Sequence, residues 1–460
     1  MKHTDISKLF ENSSDYLNKN TKICGWVKTA RDSKNVCFIE INDGTTLKNI
    51  QLVIDKSALP IEKYKGAMNV GTSVKVEGKY VPSEANSGSF EINVIDIDIL
   101  GVSPIDYPLQ KKRHTLEYLR TIPHLRVRTN TFIAMHRVRS ELSISIHDFF
   151  QKNGYLYIHT PIISGSDCEG AGEVFRVTTQ PWNCSCKTEE EYFENDFFGK
   201  SAGLTVSGQM EGEVAAMALG KIYTFGPTFR AENSNTTRHV SEFWMIEPEV
   251  AFAEIEDIME LAEAFIKHTI NHIISKCRTE LEFFDKFFED GLVEKLNSVV
   301  NSDFAVVEYT EAVELLKKSG REFKYPVEWG CDLQTEHERY LTEEVYNKPL
   351  FVVNYPKKLK AFYMKQNADG KTVAATDLLV PGIGEIIGGS EREANYDLLV
   401  DAIKSRGMNI ENYSEYLDLR KFGSAPHGGF GLGLERLLMY VTGIANIRDT
   451  LLYPRAPKEL

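Results

Sequence analysis

No run of this chain stays apolar for the roughly 18 residues that a membrane span requires, so none of its segments is expected to cross a bilayer. Cysteine is sparse, with seven scattered over 460 residues. An odd, scattered set excludes a disulfide framework and fits a reducing compartment. Cys184 and Cys186 stand close together, but no second pair follows at metal-ligand spacing, and zinc is not expected. Positive charge is also short: 53 Lys and Arg face 66 Asp and Glu, a net charge of −13. That excludes a general nucleic-acid coat protein, because phosphate binding needs surface cations. Neither DNA nor a membrane is an expected partner. The opening MKHTDISKLFEN carries Asp5 and Glu11 and has no apolar core. It looks like neither a secretory signal nor an arginine-rich transit peptide, and a cytoplasmic setting is expected.

The length leaves room for two or three domains. Residues 1–103 show the alternation of a small β domain. Over Val36–Asn42, Cys37, Ile39 and Ile41 fall on one face, and Phe38, Glu40 and Asn42 on the other. Asp43-Gly44 is a turn signal, and the next strand places Ile50, Leu52 and Ile54 inside with Gln51 outside. Ser73–Tyr80 and Phe90–Leu100 read as two more strands, and the Gly25–Val27 region supplies a fifth. Such a set suits an OB-fold barrel. Phe38, on the polar face, is either an ordinary exposed ring or a platform for an unpaired base, the latter worth roughly 1–3 kcal/mol. Residues 104–130, with Pro104, Pro108 and Pro123, form a linker. Within it the stretch Lys111–Arg128 sets Lys111, Lys112, Arg113, Arg120, Arg126 and Arg128 against Glu117 alone, the pattern of a solvated linker or of an RNA-facing hinge. Residues 131–460 read as one mixed α+β domain. Helical periodicity is clear over Thr131–Lys152, Ile255–Lys276, Thr310–Lys318 and Asn395–Arg406, and 280–329 reads as a charged, partly helical insertion.

The densest chemistry lies in Phe229–Glu249, FRAENSNTTRHVSEFWMIEPE. With Phe229–Glu232 as a strand, Arg230 and Glu232 point to one side. Asn233–Ser241 has the composition of a loop. On the return strand Phe243, Met245, Glu247 and Glu249 share a face, with Trp244 and Ile246 on the other. One face then gathers a guanidinium, carboxylates and a flat ring, a set suited to a nucleotide held on a hairpin. Gly428–Arg436, GGFGLGLER, is a glycine-rich turn that runs into the apolar helix Leu437–Val441. Thr131–Lys152 closes on Asn153-Gly154 and leads into YLYIHTPII with Pro161.

In their order these three segments resemble motifs 2, 3 and 1 of the class II aminoacyl-tRNA synthetases. The Gly25–Val27 opening, Phe38 and Gln51 resemble the subgroup that charges aspartate, asparagine and lysine. The stretches EGAGEVF, TVSGQ, YTFGPTFRAENSNT, EWGCDLQTEHERYLTEE, KAFYM and VPGIGEIIGGS resemble asparaginyl-tRNA synthetases over nearly the whole chain. This resemblance implies an N-terminal OB-fold barrel for the anticodon and an α+β catalytic domain built on an antiparallel sheet flanked by helices. It implies ATP and Mg2+ as cofactors, asparagine and its tRNA as substrates, and a homodimer formed through motif 1.

The resemblance also implies roles. Phe38 stacks on the middle anticodon base and Gln51 reads an edge. Arg230 bridges the substrate carboxylate and the α-phosphate, a fork geometry that lysine cannot copy. Glu232 accepts from the adenine amino group and Phe243 stacks on the ring. Arg436, with Arg238 or His239, holds the β- and γ-phosphates, and Asp377 and Glu385 are the Mg2+ ligands. Ser207 and Gln209 orient the α-amino end, joined by Glu169 if its loop closes. Aspartate enzymes of this subgroup place a lysine three residues past the glutamine of their serine–proline–glutamine segment. In Ser207–Gly212 that place is Gly212. A buried carboxylate without its counter-charge is costly, whereas a carboxamide needs only an acceptor and a donor, expected as Glu247 and Arg392. Arg392 has the opposite strand parity to Glu385, and a bulge at Gly388-Gly389 is expected to re-aim it. The rival is an aspartyl enzyme that charges both tRNAs.

Overall fold

The computed structural model describes residues 3–83, 88–165 and 174–460. The chain divides into two compact units, Met1–His136 and Arg137–Leu460.

In the first unit five strands, β1 (Asn20–Asp32), β2 (Val36–Asn42), β3 (Ile50–Asp55), β4 (Ser73–Pro82) and β5 (Phe90–Gly101), close into a barrel in the order β1-β2-β3-β5-β4. Alternation decides its inside: Ile23, Val27, Cys37, Ile39, Ile41, Ile50, Leu52, Ile54, Val74 and Val76 are all buried. β1 runs well beyond the expected Gly25–Val27. Its polar end, Lys28–Asp32, lacks apolar alternation yet still pairs with β2, after a register slip between Val27 and Thr29. Phe38 and Gln51 sit on the outer face, diagonal to one another, since Phe38 pairs with Val53 and Glu40 with Gln51. The 104–130 segment folds into two short helices, Leu116–Arg120 and Pro123–Arg126. Thr115 caps the first by accepting from the Tyr118 N–H, and Pro123 opens the second. One of its six cations is not a surface charge: Arg126 is fully buried, its guanidinium 4.2 Å over the Phe132 ring.

The second unit is built on an eight-stranded sheet. Its strands are β6 (Leu156–Tyr157), β9 (Lys221–Phe229), β10 (Glu242–Ala251), β11 (Ala305–Glu308), β12 (Leu350–Pro356), β13 (Thr372–Val380), β14 (Gly384–Glu391) and β15 (His427–Gly433). They lie in the order β11-β12-β13-β14-β15-β10-β9-β6, antiparallel except at the two edges. A separate ribbon pairs β7 (Ile163–Ser164) with β8 (Gly203–Leu204). Helices Asn130–Lys152, Ile255–Lys276, Tyr309–Lys318 and Tyr396–Ser405 fall where the periodicity places them. Of the span 280–329, Ala305–Glu308 is the edge strand β11, with Val307 buried in a cluster with Leu350 and Val352. Four residues carry too little periodicity to announce a strand.

One carboxylate joins the three motif segments. Glu435, at the start of the helix Leu434–Thr442, is buried. It accepts from Arg139 on the helix Asn130–Lys152 at 2.7 Å and from the Trp244 N–H on β10 at 3.0 Å.

Candidate active site

β9 and β10 form the hairpin that carries the site. Their register is regular, from Phe229↔Glu242 to Lys221↔Val250. The first strand stops at Phe229, so Arg230–Glu232 is not strand as expected. The Arg230 N–H still donates to the Ser241 carbonyl at 3.0 Å and carries the ladder one residue further. Arg230, Glu232, Arg238, His239, Phe243, Glu385 and Arg436 nonetheless line one cavity of about 210 Å3. The Arg230 guanidinium lies 5.4 Å from the Phe243 ring centroid. β15 supplies the floor beside β10, and its glycines are required by close approach. A Cβ on Gly429 would meet the Pro248 carbonyl at 2.1 Å, and one on Gly431 would meet the Met245 methyl at 2.9 Å.

The electrostatics of this cavity are those of a cation cluster. Burial, and then Arg436, push Arg238 below its ordinary value. Burial likewise pushes His239 down, opposed by Glu232 and reinforced by Arg436, Arg230 and Arg238. Cations that repel one another in a half-buried cleft are relieved by a polyanion. Arg436 is held in place by the Glu385 carbonyl at 3.3 Å and faces the Glu385 carboxylate at 3.6 Å.

Asp377 does not line the cavity but converges on it. A Cβ on Gly388 would stand 3.2 Å from Glu385 Oε1 and 3.7 Å from Asp377 Oδ1. Asp377 pairs with Lys360 at 2.7 Å. Burial raises the Asp377 carboxyl against the pull of Lys360, and Glu385 adds to the rise. A third acid, Glu338, accepts from the Glu385 N–H at 3.2 Å; burial, then Glu385 and Asp377, push it up to about 8. Crowded carboxylates of this kind fit a hard cation. Among the described residues no group of three or more His, Cys, Asp or Glu is arranged to hold a metal. Asp377 and Glu385 are the residues that could hold Mg2+ here.

Further along β10, two residues per step of about 6.6 Å, the same face passes from Phe243 and Met245 to Glu247 and Glu249. Glu247, expected as the acceptor for the carboxamide NH₂, lies on this face. It is buried and taken up by the Ser207 hydroxyl, by the Gly208 N–H at 2.9 Å and by the Thr224 hydroxyl at 2.9 Å. It therefore anchors the loop that carries Ser207 and Gln209. The carboxylate beside Arg392 is Glu249, which takes two N–H groups from that guanidinium at 2.5 and 3.3 Å. Burial pushes Glu249 up to about 7 against the pull of Arg392, with Glu213 adding to the rise. Gly212 faces this pair: its Cβ would lie 3.7 Å from the Glu249 Cγ.

Arg392 does reach the site, but the bulge is not at Gly388-Gly389. Those two residues pair regularly with Asp377 and Thr376. The register slips where Leu378↔Ile387 is followed by Leu379↔Glu385, which leaves Ile386 as the extra residue. One inserted residue flips parity.

Glu213 was not singled out in the sequence and is the hub of the site. Fully buried, it accepts from Gln209 Nε2 at 3.0 Å, Tyr416 at 2.8 Å, Arg420 at 2.7 Å and His427 Nε2 at 3.0 Å, and lies 3.9 Å from Arg392. Burial alone would raise its carboxyl, but Arg420, His427 and Arg392 overcome that and hold it well below the carboxylate range. Its spacing from Gln209, four residues on one helix, was the available signal. Glu338 and Lys360 lie within the stretches EWGCDLQTEHERYLTEE and KAFYM. Glu169 lies outside the described residues.

Residues 115–457 match the family model for class II tRNA synthetases (D, K and N), and residues 21–100 match that for an OB-fold nucleic acid binding domain. The chain is 55% identical over 459 residues to an asparagine–tRNA ligase of Bacillus thuringiensis subsp. konkukian, covering 99% of each chain. It is 54% identical over 457 residues to one of Acetivibrio thermocellus, covering 99% of this chain and 98% of the other. The crystal structure of asparaginyl-tRNA synthetase from Pyrococcus horikoshii complexed with asparaginyl-adenylate superposes with a TM-score of 0.88 at 32% identity, over 100% of this chain and 99% of that one. A barrel, a cation-lined hairpin site and relatives of this closeness agree: the chain belongs to the class II tRNA synthetases, and within them to the asparagine–tRNA ligase family.

Proposed function

We propose that this protein ligates asparagine to its tRNA through an asparaginyl-adenylate. The observation that carries the specificity is the buried Arg392–Glu249 pair with glycine at position 212. A carboxamide offers its carbonyl to the guanidinium and its NH₂ to the carboxylate. A carboxylate in its place would confront Glu249 without a lysine to balance it. Sites that pair both a donor and an acceptor can discriminate by about 10⁴–10⁵.

In the first step an oxygen of the asparagine carboxylate attacks the α-phosphorus of ATP and pyrophosphate leaves. Arg230 bridges the two reacting anions, fixing the line of attack and offsetting charge in the transition state. Glu232 accepts from the adenine amino group, with Phe243 against the ring, and Arg436 with Arg238 and His239 holds the β- and γ-phosphates. Mg2+, held by Asp377 and Glu385, would supply neutralisation of the phosphate charge. Ser207, fixed by Glu247, and Gln209, fixed by Glu213, orient the α-amino end; Glu169 is a further candidate for that role. In the second step a ribose hydroxyl of the terminal adenosine of tRNA attacks the activated carbonyl and AMP leaves. The domains serve these steps as an anticodon barrel over 1–103, a hinge over 104–130 and a catalytic domain over 131–460. A homodimer through the helix Asn130–Lys152 is supported by Ile144, 59% exposed on that helix, and by Leu156, 48% exposed just after it.

Incubation with each amino acid, ATP and labelled pyrophosphate tests the reading. Exchange should depend on asparagine, with aspartate giving at most a trace. Aspartate-dependent exchange equal to that with asparagine would replace it with the non-discriminating aspartyl enzyme.

The barrel has its own test. Phe38 stands on the outer face, half-exposed, with the Arg31 guanidinium 4.9 Å from its ring. Gln51 beside it reads the base edge. Phe38→Ala should lower charging of tRNA about tenfold, within the range for one lost stack, with exchange unchanged. Equal loss of both would make the ring structural.

A further inference from the structure

A cavity of about 720 Å3 lies wholly within the first unit, walled on one side by Trp26, Lys28 and Asn49 of the barrel and on the other by Tyr107, Lys111 and Arg128. Its size suits a small-molecule or single-residue ligand, for which pockets run from roughly 300 to 1,000 Å3. No aspartate or glutamate lines it, although acids outnumber Lys and Arg by 66 to 53 in the chain. Trp26 is 43% exposed. The Arg128 guanidinium sits 5.8 Å from the Trp26 ring centroid and 5.9 Å from that of Tyr107, so two aromatic rings and a planar cation frame one space. Lys28 donates to the Arg128 carbonyl at 2.6 Å, and burial, then Arg128, push it down to about 8, so an anion nearby would favour its charged form. Asn49 Oδ1 is buried without a hydrogen-bond partner among the described residues, an acceptor matched to an N–H or O–H of a ligand. An exposed tryptophan alone is ordinary. Stacking faces, an all-cationic charge set and an unpaired acceptor in one cavity describe a nucleotide.

We propose that this cavity takes one unpaired nucleotide of the tRNA, its base against Trp26 and Tyr107 and its phosphate against Arg128 and Lys111. The inference rests on the tRNA-charging function proposed above. Trp26 pairs with Asn42 and Arg31 with Phe38, so both rings stand on the outer face of the β1–β2 ladder, about 13 Å apart along β2. The nucleotide is therefore distinct from the one on Phe38. Stacking accepts any base and phosphate contacts carry no sequence information, so the site contributes affinity and register, not identity.

Ultraviolet cross-linking of the full-length protein to its tRNA, followed by mass spectrometry of the peptides, should give a nucleotide adduct on Trp26 or Tyr107 separate from any on Phe38. Trp26→Ala should raise the KM for tRNA about tenfold with asparagine-dependent exchange unchanged, and Trp26→Tyr should recover most of the loss. Adducts at Phe38 alone, or a wild-type KM in Trp26→Ala, overturn the proposal. So does loss of the adduct in excess free AMP, which would make a mononucleotide the occupant. Cross-linking uses the unaltered protein, so it decides even where Trp26→Ala fails to fold. Absence of asparagine-dependent exchange in the unaltered protein would instead overturn the activity on which the inference rests.

Discussion

Arg230→Ala should lower asparagine-dependent pyrophosphate exchange by at least about 10³-fold while leaving the circular dichroism spectrum and the melting temperature close to wild type. The two halves of that expectation have separate causes. The Arg230 side chain faces the cavity and the Phe243 ring, and its backbone, which holds Ser241, is untouched by the substitution. The hairpin therefore keeps its ladder. The reacting carboxylate and phosphate, however, are both anions, and without a fork between them their approach is unfavourable. Arg230→Lys should recover little, since a point charge cannot hold two oxygens of different groups in one plane. Exchange retained in Arg230→Ala would remove this residue from the mechanism.

The second large effect is expected from Gly212→Lys. Truncating Arg392 or Glu249 would strip its buried partner of the nearest counter-charge at a cost of about 3–5 kcal/mol, so a loss of activity would not separate recognition from folding. Adding a charge avoids this. The atoms nearest a Cβ at 212 are Ile222 at 3.4 Å, Glu249 at 3.7 Å and Thr224 at 3.9 Å, ordinary contacts. A lysine there is aimed at Glu249 and would take that carboxylate for itself. The carboxamide then loses its acceptor and meets a cation, and kcat/KM for asparagine should fall by about 10²–10³. Aspartate should gain, because Arg392 and the new ammonium now offer it two cations. Undiminished use of asparagine by a folded Gly212→Lys variant would show that the counter-charge does not set the choice.

Much of the site was legible because its parts are local. Arg230, Glu232, Phe243 and Glu249 fall within one hairpin, and strand parity alone groups Phe243 with Glu249. Gly212 was legible as a missing charge in a short segment. What the sequence does not show is what holds Glu247, on the pocket side of β10. Its three partners, Ser207, Gly208 and Thr224, come from a loop and a neighbouring strand that no periodicity relates to it. The bulge was misplaced for a similar reason: glycines mark where a bend is tolerated, whereas the partner strand decides where the extra residue goes, and β13 places it at Ile386.

By itself the sequence determined the barrel, the long helices, the order of the motif segments and the identity of the charges that line the hairpin cavity. Each is written in residues within a turn or two of one another, where alternation and 3.6-residue periodicity act. Only the tertiary structure decided which carboxylate stands beside Arg392 and what holds Glu213. Glu249 and Arg392 are 143 residues apart, and Glu213 and Arg420 are 207 apart. A buried charge must be paired wherever the fold brings a partner, and that partner is chosen by packing across the sheet, which no window along the chain can see.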